Sequence, residues 1–263
     1  MAPAVHVVDV RTLVVERSTV RIYETDEDLG RDAAADAAAA IRAAVEARGH
    51  ANVMFATGNS QFAFLDALTA RTDVDWPAVV GFHMDEYVGI DPDHPASFRR
   101  YLRERLVERT HPGAFHYVEG DAADPEHECV RYAALLREQP LDLCCLGVGE
   151  NGHLAFNDPP VADFDDPRDV KVVALDEACR RQQVGEGHFA TLDDVPPSAI
   201  TVTIPALLHA RRMQAVVPDA RKRAAIHAAL TGPVTTACPA SALRTHPDAT
   251  LYLDEHSAAG LAT

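Results

Sequence analysis

Short runs of β-forming residues alternate with longer stretches of helical composition along almost the whole chain. Residues 20–23 predict a strand. Thr25 then caps a long alanine-rich helix whose first turn carries Asp26, Glu27 and Asp28, where acids complement the helix dipole, and Gly49 closes it. Residues 52–56, 77–84 and 141–146 are apolar runs that predict buried strands, and 171–174, 200–203, 213–217 and 250–253 complete the strand set. Helices are expected at 61–70, 97–108, 125–137 and 220–230. Strand followed by helix, repeated in this way, predicts an α/β fold: an open, mostly parallel sheet with helices on both faces, a Rossmann-like three-layer sandwich. No repeat or low-complexity linker interrupts residues 1–263, so a single domain is expected. Residues 157–169, with three prolines and five aspartates, read as a surface excursion or lid.

Ligands of open parallel sheets bind beyond the carboxyl ends of the strands, so the residues that follow each strand matter most. Thr57-Gly58-Asn59-Ser60 forms a small-residue turn into a helix, a place where free N–H groups favour an anion, although a plain helix cap explains the segment taken alone. Asp85-Glu86 ends an apolar strand, which puts a carboxylate at the sheet edge where a general base could work. Gly147-Val148-Gly149-Glu150-Asn151-Gly152-His153 contains the glycine spacing of a dinucleotide fingerprint, but Pro159, Pro160 and Pro167 leave little room for the helix that fingerprint needs. Glycines that present His153 to a cleft fit better, with Asn151 and Asp158 placed to orient its ring. Arg180 and Arg181 follow the 171–174 strand, and Arg221, Lys222 and Arg223 follow the 213–217 strand.

Charge and cysteine content narrow the partners. A formal net charge of −16 disfavours nucleic acid and anionic membrane, while leaving room for a small anion held by two or three aimed cations. Hydrophobic residues make up 47% of the chain, enough for a full core. The five cysteines show no Cys-x-x-Cys spacing, and Cys144 and Cys145 fall in a buried-strand run, so they read as core thiols of a reducing compartment. No leader peptide and no membrane helix are expected, which together predict a cytoplasmic protein. Thirteen histidines raise the question of a metal, but His-Glu-x-x-His is absent and His94, His127, His188, His246 and His256 fall in unrelated segments, so no metal is expected.

Two long stretches carry a resemblance. Gly81-Phe82-His83-Met84-Asp85-Glu86-Tyr87-Val88-Gly89 and Gly147–Asn157-Asp158-Pro159 resemble glucosamine-6-phosphate deaminases, and the C-terminal run from Val195-Pro196 through Lys222 and Gly232 to His246-Pro247 continues the pattern. The resemblance covers roughly residues 25–255. It implies a cofactor-free reaction on a phosphorylated amino sugar, releasing ammonia and a ketose phosphate. It aligns Asp85 with the base that works at C2 and C1, and His153 with the group that opens the sugar ring, assisted by Asn151 and Asp158. Thr57, Gly58, Asn59 and Ser60 align with a phosphate loop, Arg180 and Lys222 with cations that hold the phosphate, and Glu86 with a substrate contact. Asn151 stands where some members have aspartate, and Asp158 where glutamate is usual. The alternatives are a 6-phosphogluconolactonase-type hydrolase, a deaminase of a different amino-sugar phosphate, or a sugar-phosphate-sensing domain. The oligomeric state stays open, a homo-oligomer included.

Overall fold

A computed structural model describes residues 10–261; residues 1–9, on which the absence of a leader peptide was read, lie outside the described residues. The chain enters on a hairpin, β1 (Arg11–Val15) and β2 (Ser18–Tyr23). Helix α1 (Asp26–Arg48) starts where the Thr25 hydroxyl accepts the Asp28 N–H at 3.1 Å and ends where Gly49 turns left-handed at φ 79°. Every residue of β3 (Ala51–Phe55) is buried, as a strand covered on both faces requires. A single 3-10 turn at Asn59–Gln61 leads into α2 (Phe62–Thr69). Strands β4 (Val79–His83) and β5 (Asp85–Tyr87) are separated by one residue, Met84. Ser97 caps α3 (Phe98–Leu102), which continues through a π turn, Arg103–Val107, into α4 (Glu108–Thr110). Then come β6 (Ala114–His116), α5 (Pro125–Glu138, capped by the Asp124 carboxylate), β7 (Leu143–Leu146) and β8 (Val170–Ala174). The chain closes with α6 (Glu177–Gly185), β9 (Ser198–Val202), α7 (Ile204–Leu208), β10 (Arg212–Val217), α8 (Arg223–Thr231) and β11 (Ala249–Asp254).

Among the described residues, eight strands form one sheet in the order β1-β2-β11-β10-β7-β3-β4-β6, parallel throughout except for the edge strand β1. Alternate residues of the central strands feed opposite layers. Met54, Cys144 and Leu146 pack with Tyr132 of α5 and Ile226 of α8, whereas Val53, Phe55, Leu143 and Cys145 pack with Leu29 of α1 and Leu65 of α2. This is the three-layer α/β arrangement expected from the sequence, and burying each large side chain contributes about 1.5–3 kcal/mol. All five cysteines are free and buried. Among the described residues no helix is long and apolar enough to cross a membrane.

The strand order reverses direction between β3 and β7: the chain builds outward from β3 to β4 and β6 on one side, and from β7 to β10, β11 and β2 on the other. Neighbouring loops diverge at such a switch point and leave a crevice beyond the strand ends. One expectation needs correction here. The runs at 171–174 and 200–203 do not join the main sheet; as β8 and β9 they form a separate antiparallel sheet with β5, in the order β5-β9-β8. A short β-favouring run specifies its own conformation but not its partner, and the hydrogen bond from Val202 N–H to Met84 O clips this small sheet onto the end of β4. The 157–169 segment is likewise no free lid at its start, because Asn157 and Asp158 are buried, and the Lys171 ammonium ties it down through Val161 O at 2.6 Å and Asp166 at 2.8 Å.

Candidate active site

The crevice holds a cavity of about 510 Å³. Its floor is the pair of loops at the switch point. After β3, Ala56 N–H still bonds Cys145 O at 2.9 Å, and the chain then turns at Gly58 with φ 102°, a left-handed conformation that glycine adopts without strain. Tyr101 donates its hydroxyl to Gly58 O at 2.9 Å, and the Gln61 amide bridges Ser60 Oγ and Val216 O, so the 57–60 loop is pinned from both flanks. Thr57, Gly58, Asn59 and Ser60 all line the cavity.

After β7, the second loop delivers an imidazole. Asn151 Oδ1 accepts the His153 N–H at 3.0 Å, while Asp158 Oδ1 receives Asn151 Nδ2 at 2.7 Å and lies 2.9 Å from His153 Nδ1. Burial alone would raise the Asp158 carboxyl, but the bonds from His153 and Asn151 outweigh it and hold it below its ordinary value. An ionised Asp158 therefore fixes the proton on Nδ1 and leaves Nε2 as the acceptor nitrogen. A Cβ at Gly149 would stand 2.3 Å from His153 Cε1, so the second glycine of the loop exists to make room for the ring. Gly149→Ala should displace the imidazole and lower kcat/KM by about 10²-fold with little loss of stability, measurable by steady-state assay beside a thermal melt.

At the end of β4 stands Asp85, buried and also on the cavity wall. Burial, then the negative charges of Glu86 and Asp158, push its carboxyl well above the ordinary aspartate value. Glu86 has a different setting. It accepts from Ser97 Oγ at 2.8 Å and from the N–H groups of Tyr87, Phe98 and Arg99 at 3.0, 3.2 and 2.9 Å, and it does not line the cavity. Lys222, at the end of β10, lines the far side with Asp219 and Arg221. Burial lowers the Lys222 ammonium, against the opposing charges of Glu186 and Glu150.

Residues 24–252 match the sequence profile of the family described as glucosamine-6-phosphate isomerases/6-phosphogluconolactonase. The chain belongs to this family. A glucosamine-6-phosphate deaminase of Exiguobacterium sibiricum is 38% identical over 205 residues, covering 77% of this chain and 78% of the relative. Another, from Listeria innocua, is 34% identical and covers 80% of this chain and 88% of its own. Among solved structures, one described as a monomeric glucosamine-6-phosphate deaminase superposes with a TM-score of 0.83 at 29% identity, spanning 91% of this chain and 98% of that one. A 6-phosphogluconolactonase from Shewanella baltica, 20% identical with a TM-score of 0.73 over 92% of this chain and 97% of its own, shares the fold.

Of the residues expected at the site of this family member, Thr57, Gly58, Asn59, Ser60, Asp85, His153 and Lys222 converge on the one cavity, and Asn151 and Asp158 stand behind His153. Glu86 and Arg180 do not. The Arg180 guanidinium turns away to the carbonyls of Leu192 at 2.5 Å and Val195 at 3.1 Å, and neighbouring Arg181 pairs with Glu177. Arg180 thus stands off the cavity wall, its guanidinium taken by loop carbonyls. Further along α6, Gln182 and Gln183 reach the cavity wall, as do Glu186 at its C-cap and His188 beyond it. The Asp176 N-cap followed by Glu177 was a legible signal for that helix. Asp26, Asp254 and His256 also line the cavity; Asp254 directly follows the expected 250–253 strand and ends β11, so the strand-end rule could have found it.

Glu86 instead holds the start of α3. Glu86→Gln would set an amide N–H₂ against backbone donors and cost about 2–3 kcal/mol of unfolding free energy, measurable by urea titration. One group of three possible metal donors occurs among the described residues, His153, Asp158 and Cys179, whose ligand atoms lie within 4.8 Å of one another. Burial pushes the Cys179 thiol far up, and the other two already bond each other, so this is a hydrogen-bonded cluster with a poor thiolate donor.

Proposed function

We propose that the chain converts glucosamine 6-phosphate into fructose 6-phosphate and ammonia. The observation that carries this reading is the pairing, on the walls of one cavity, of a buried carboxylate with an imidazole–carboxylate couple, Asp85 with His153 and Asp158. The closed sugar has no carbonyl, so His153 Nε2 first takes the proton from O1 and returns it to O5 as the C1–O5 bond breaks. The aldehyde formed at C1 acidifies the C2 proton. Asp85 removes that proton while the substrate's ammonium gives one to O1, leaving an enaminol across C1 and C2, and Asp85 then hands its proton back at C1. The resulting imine at C2 adds water and expels ammonia, so atoms and charge balance without an external oxidant or reductant. Lys222 and the N–H groups of residues 57–60 receive the phosphate at the other end of the cavity, and that remote grip holds C1 and C2 between the two proton-transfer groups. The five free, buried thiols fit a cytoplasmic setting.

The test is ammonia release from glucosamine 6-phosphate, run beside galactosamine and mannosamine 6-phosphates and beside hydrolysis of 6-phosphogluconolactone. Ammonia and fructose 6-phosphate from the first substrate are expected. Turnover of the lactone alone would replace the reading with the hydrolase branch of the family.

A further inference from the structure

The cavity wall is predominantly acidic. Among the described residues, Asp26, Asp85, Glu186, Asp219 and Asp254 line it against two side chains of fixed positive charge, Arg221 and Lys222. Arg221 is already committed: Nε and Nη2 bond Asp219 at 3.0 and 2.7 Å, and Nη1 lies 3.6 Å from Glu150. Lys222 is the remaining cation, and its side chain is only 7% exposed. Its ammonium makes no hydrogen bond among the described residues, since its one close partner, Glu186 Oε1, stands at 3.9 Å, within ion-pair range but beyond hydrogen-bond reach. The Glu186 side chain, 10% exposed, is itself held firmly. Gln182 Nε2 donates to Oε1 at 2.9 Å, His188 Nε2 lies 3.4 Å from Oε2, and Gln182 in turn accepts the Glu150 N–H of the His153 loop at 3.3 Å.

From this geometry we infer that Glu186 is a specificity-determining residue, an anion built into the protein that competes with the substrate phosphate for Lys222. The inference rests on the reading that Lys222 meets the phosphate. A carboxylate 3.9 Å from the ammonium neutralises it at long range but leaves all three N–H donors open. An incoming phosphate gains those hydrogen bonds and must tolerate the neighbouring carboxylate. Affinity for the phosphate end is thereby lowered, and weak or singly charged anions are penalised more than a phosphate that can form several charged hydrogen bonds at once. Because Gln182 links Glu186 to the His153 loop, displacement of the carboxylate by phosphate is felt at the imidazole end of the cavity as well.

Isothermal titration with inorganic phosphate tests this without needing turnover. Glu186→Gln keeps the shape and the Gln182 contact but removes the charge, and is expected to tighten phosphate binding about tenfold and to lower KM for glucosamine 6-phosphate. Lys222→Met should weaken phosphate binding by more than about tenfold, and adding Glu186→Gln to it should then change binding by less than about threefold, since the competition needs the ammonium. A gain in affinity cannot come from a damaged fold; should the glutamine variant unfold, Glu186→Ala serves with the same expectation. Unchanged or weaker phosphate binding in the Glu186 variant, with Lys222→Met still impaired, overturns the competitor role and leaves the proposed reaction standing. Unchanged binding in Lys222→Met overturns both the competitor role and the placement of the phosphate.

Discussion

Asp85→Asn should lower kcat for ammonia release by about 10²–10⁴-fold, the range lost when a positioned general base is removed. With substrate deuterated at C2, the variant should pass that label to C1 of the ketose product at a rate reduced in step with kcat, while inorganic phosphate still binds. Label transfer at the wild-type rate would show that another group moves the C2 proton. The carboxyl's setting adds a pH signature. Burial and the charges of Glu86 and Asp158 raise Asp85 well above its ordinary value, and the base is the ionised form, so activity falls as pH drops through that raised value. The acid limb of kcat/KM therefore lies above the region near 3.9 where an ordinary aspartate titrates. The same shift has a stability sign. A folded-state value above the unfolded one stabilises the fold fully below the unfolded pKa, and that contribution disappears as pH rises through the folded value. Above that folded value the native protein carries an ionised buried carboxylate, and there Asp85→Asn should melt at a higher temperature than the parent while losing its chemistry.

Strand-end reasoning reached most of this site because a parallel sheet converts sequence position into spatial position. Thr57, Asp85, His153 and Lys222 are scattered over 166 positions, yet each follows a main-sheet strand, and the ends of β3, β4, β7 and β10 open on the same crevice. The continuous apolar run ending in Cys144, Cys145 and Leu146 was legible for the same reason, since a strand buried on both faces has no polar alternation. What the residues could not disclose was partnership. Lys171 to Ala174 is as good a strand as any other, but whether it pairs with β9 or enters the main sheet depends on tertiary contacts far along the chain. Nor could they disclose that the Arg180 guanidinium goes to two loop carbonyls. Glu86 shows the converse limit: next to Asp85 in sequence, it alternates to the other side of β5 and spends its oxygens on the start of α3. Glu186 and His188 gave no motif at all, and only the path of α6 and the turn after it brings Glu186 to Lys222 and His188 to Glu186.

Asp158→Asn should separate ring opening from the later steps. Asp158 Oδ1 receives Asn151 Nδ2 at 2.7 Å and faces His153 Nδ1 at 2.9 Å, so an asparagine must present either its oxygen or its N–H₂ to the ring. The Asn151 amide competes for that oxygen. When the N–H₂ faces the imidazole, the proton moves to Nε2 and the nitrogen aimed at the sugar becomes a donor, which cannot take the O1 proton. The expected loss is about 10²–10³-fold in kcat with glucosamine 6-phosphate. An analogue lacking the 4- and 5-hydroxyls cannot close a ring and enters as the open aldehyde, so it needs no shuttle between O1 and O5. With that analogue the ratio of variant to wild-type rate should return to within about tenfold of one, because Asp85 keeps its place and the phosphate grip is untouched. An equal loss on both substrates would move Asp158 to the proton transfers at C2 and C1, where its negative charge, second only to Glu86 among those that raise the Asp85 carboxyl, would tune the base instead of the imidazole.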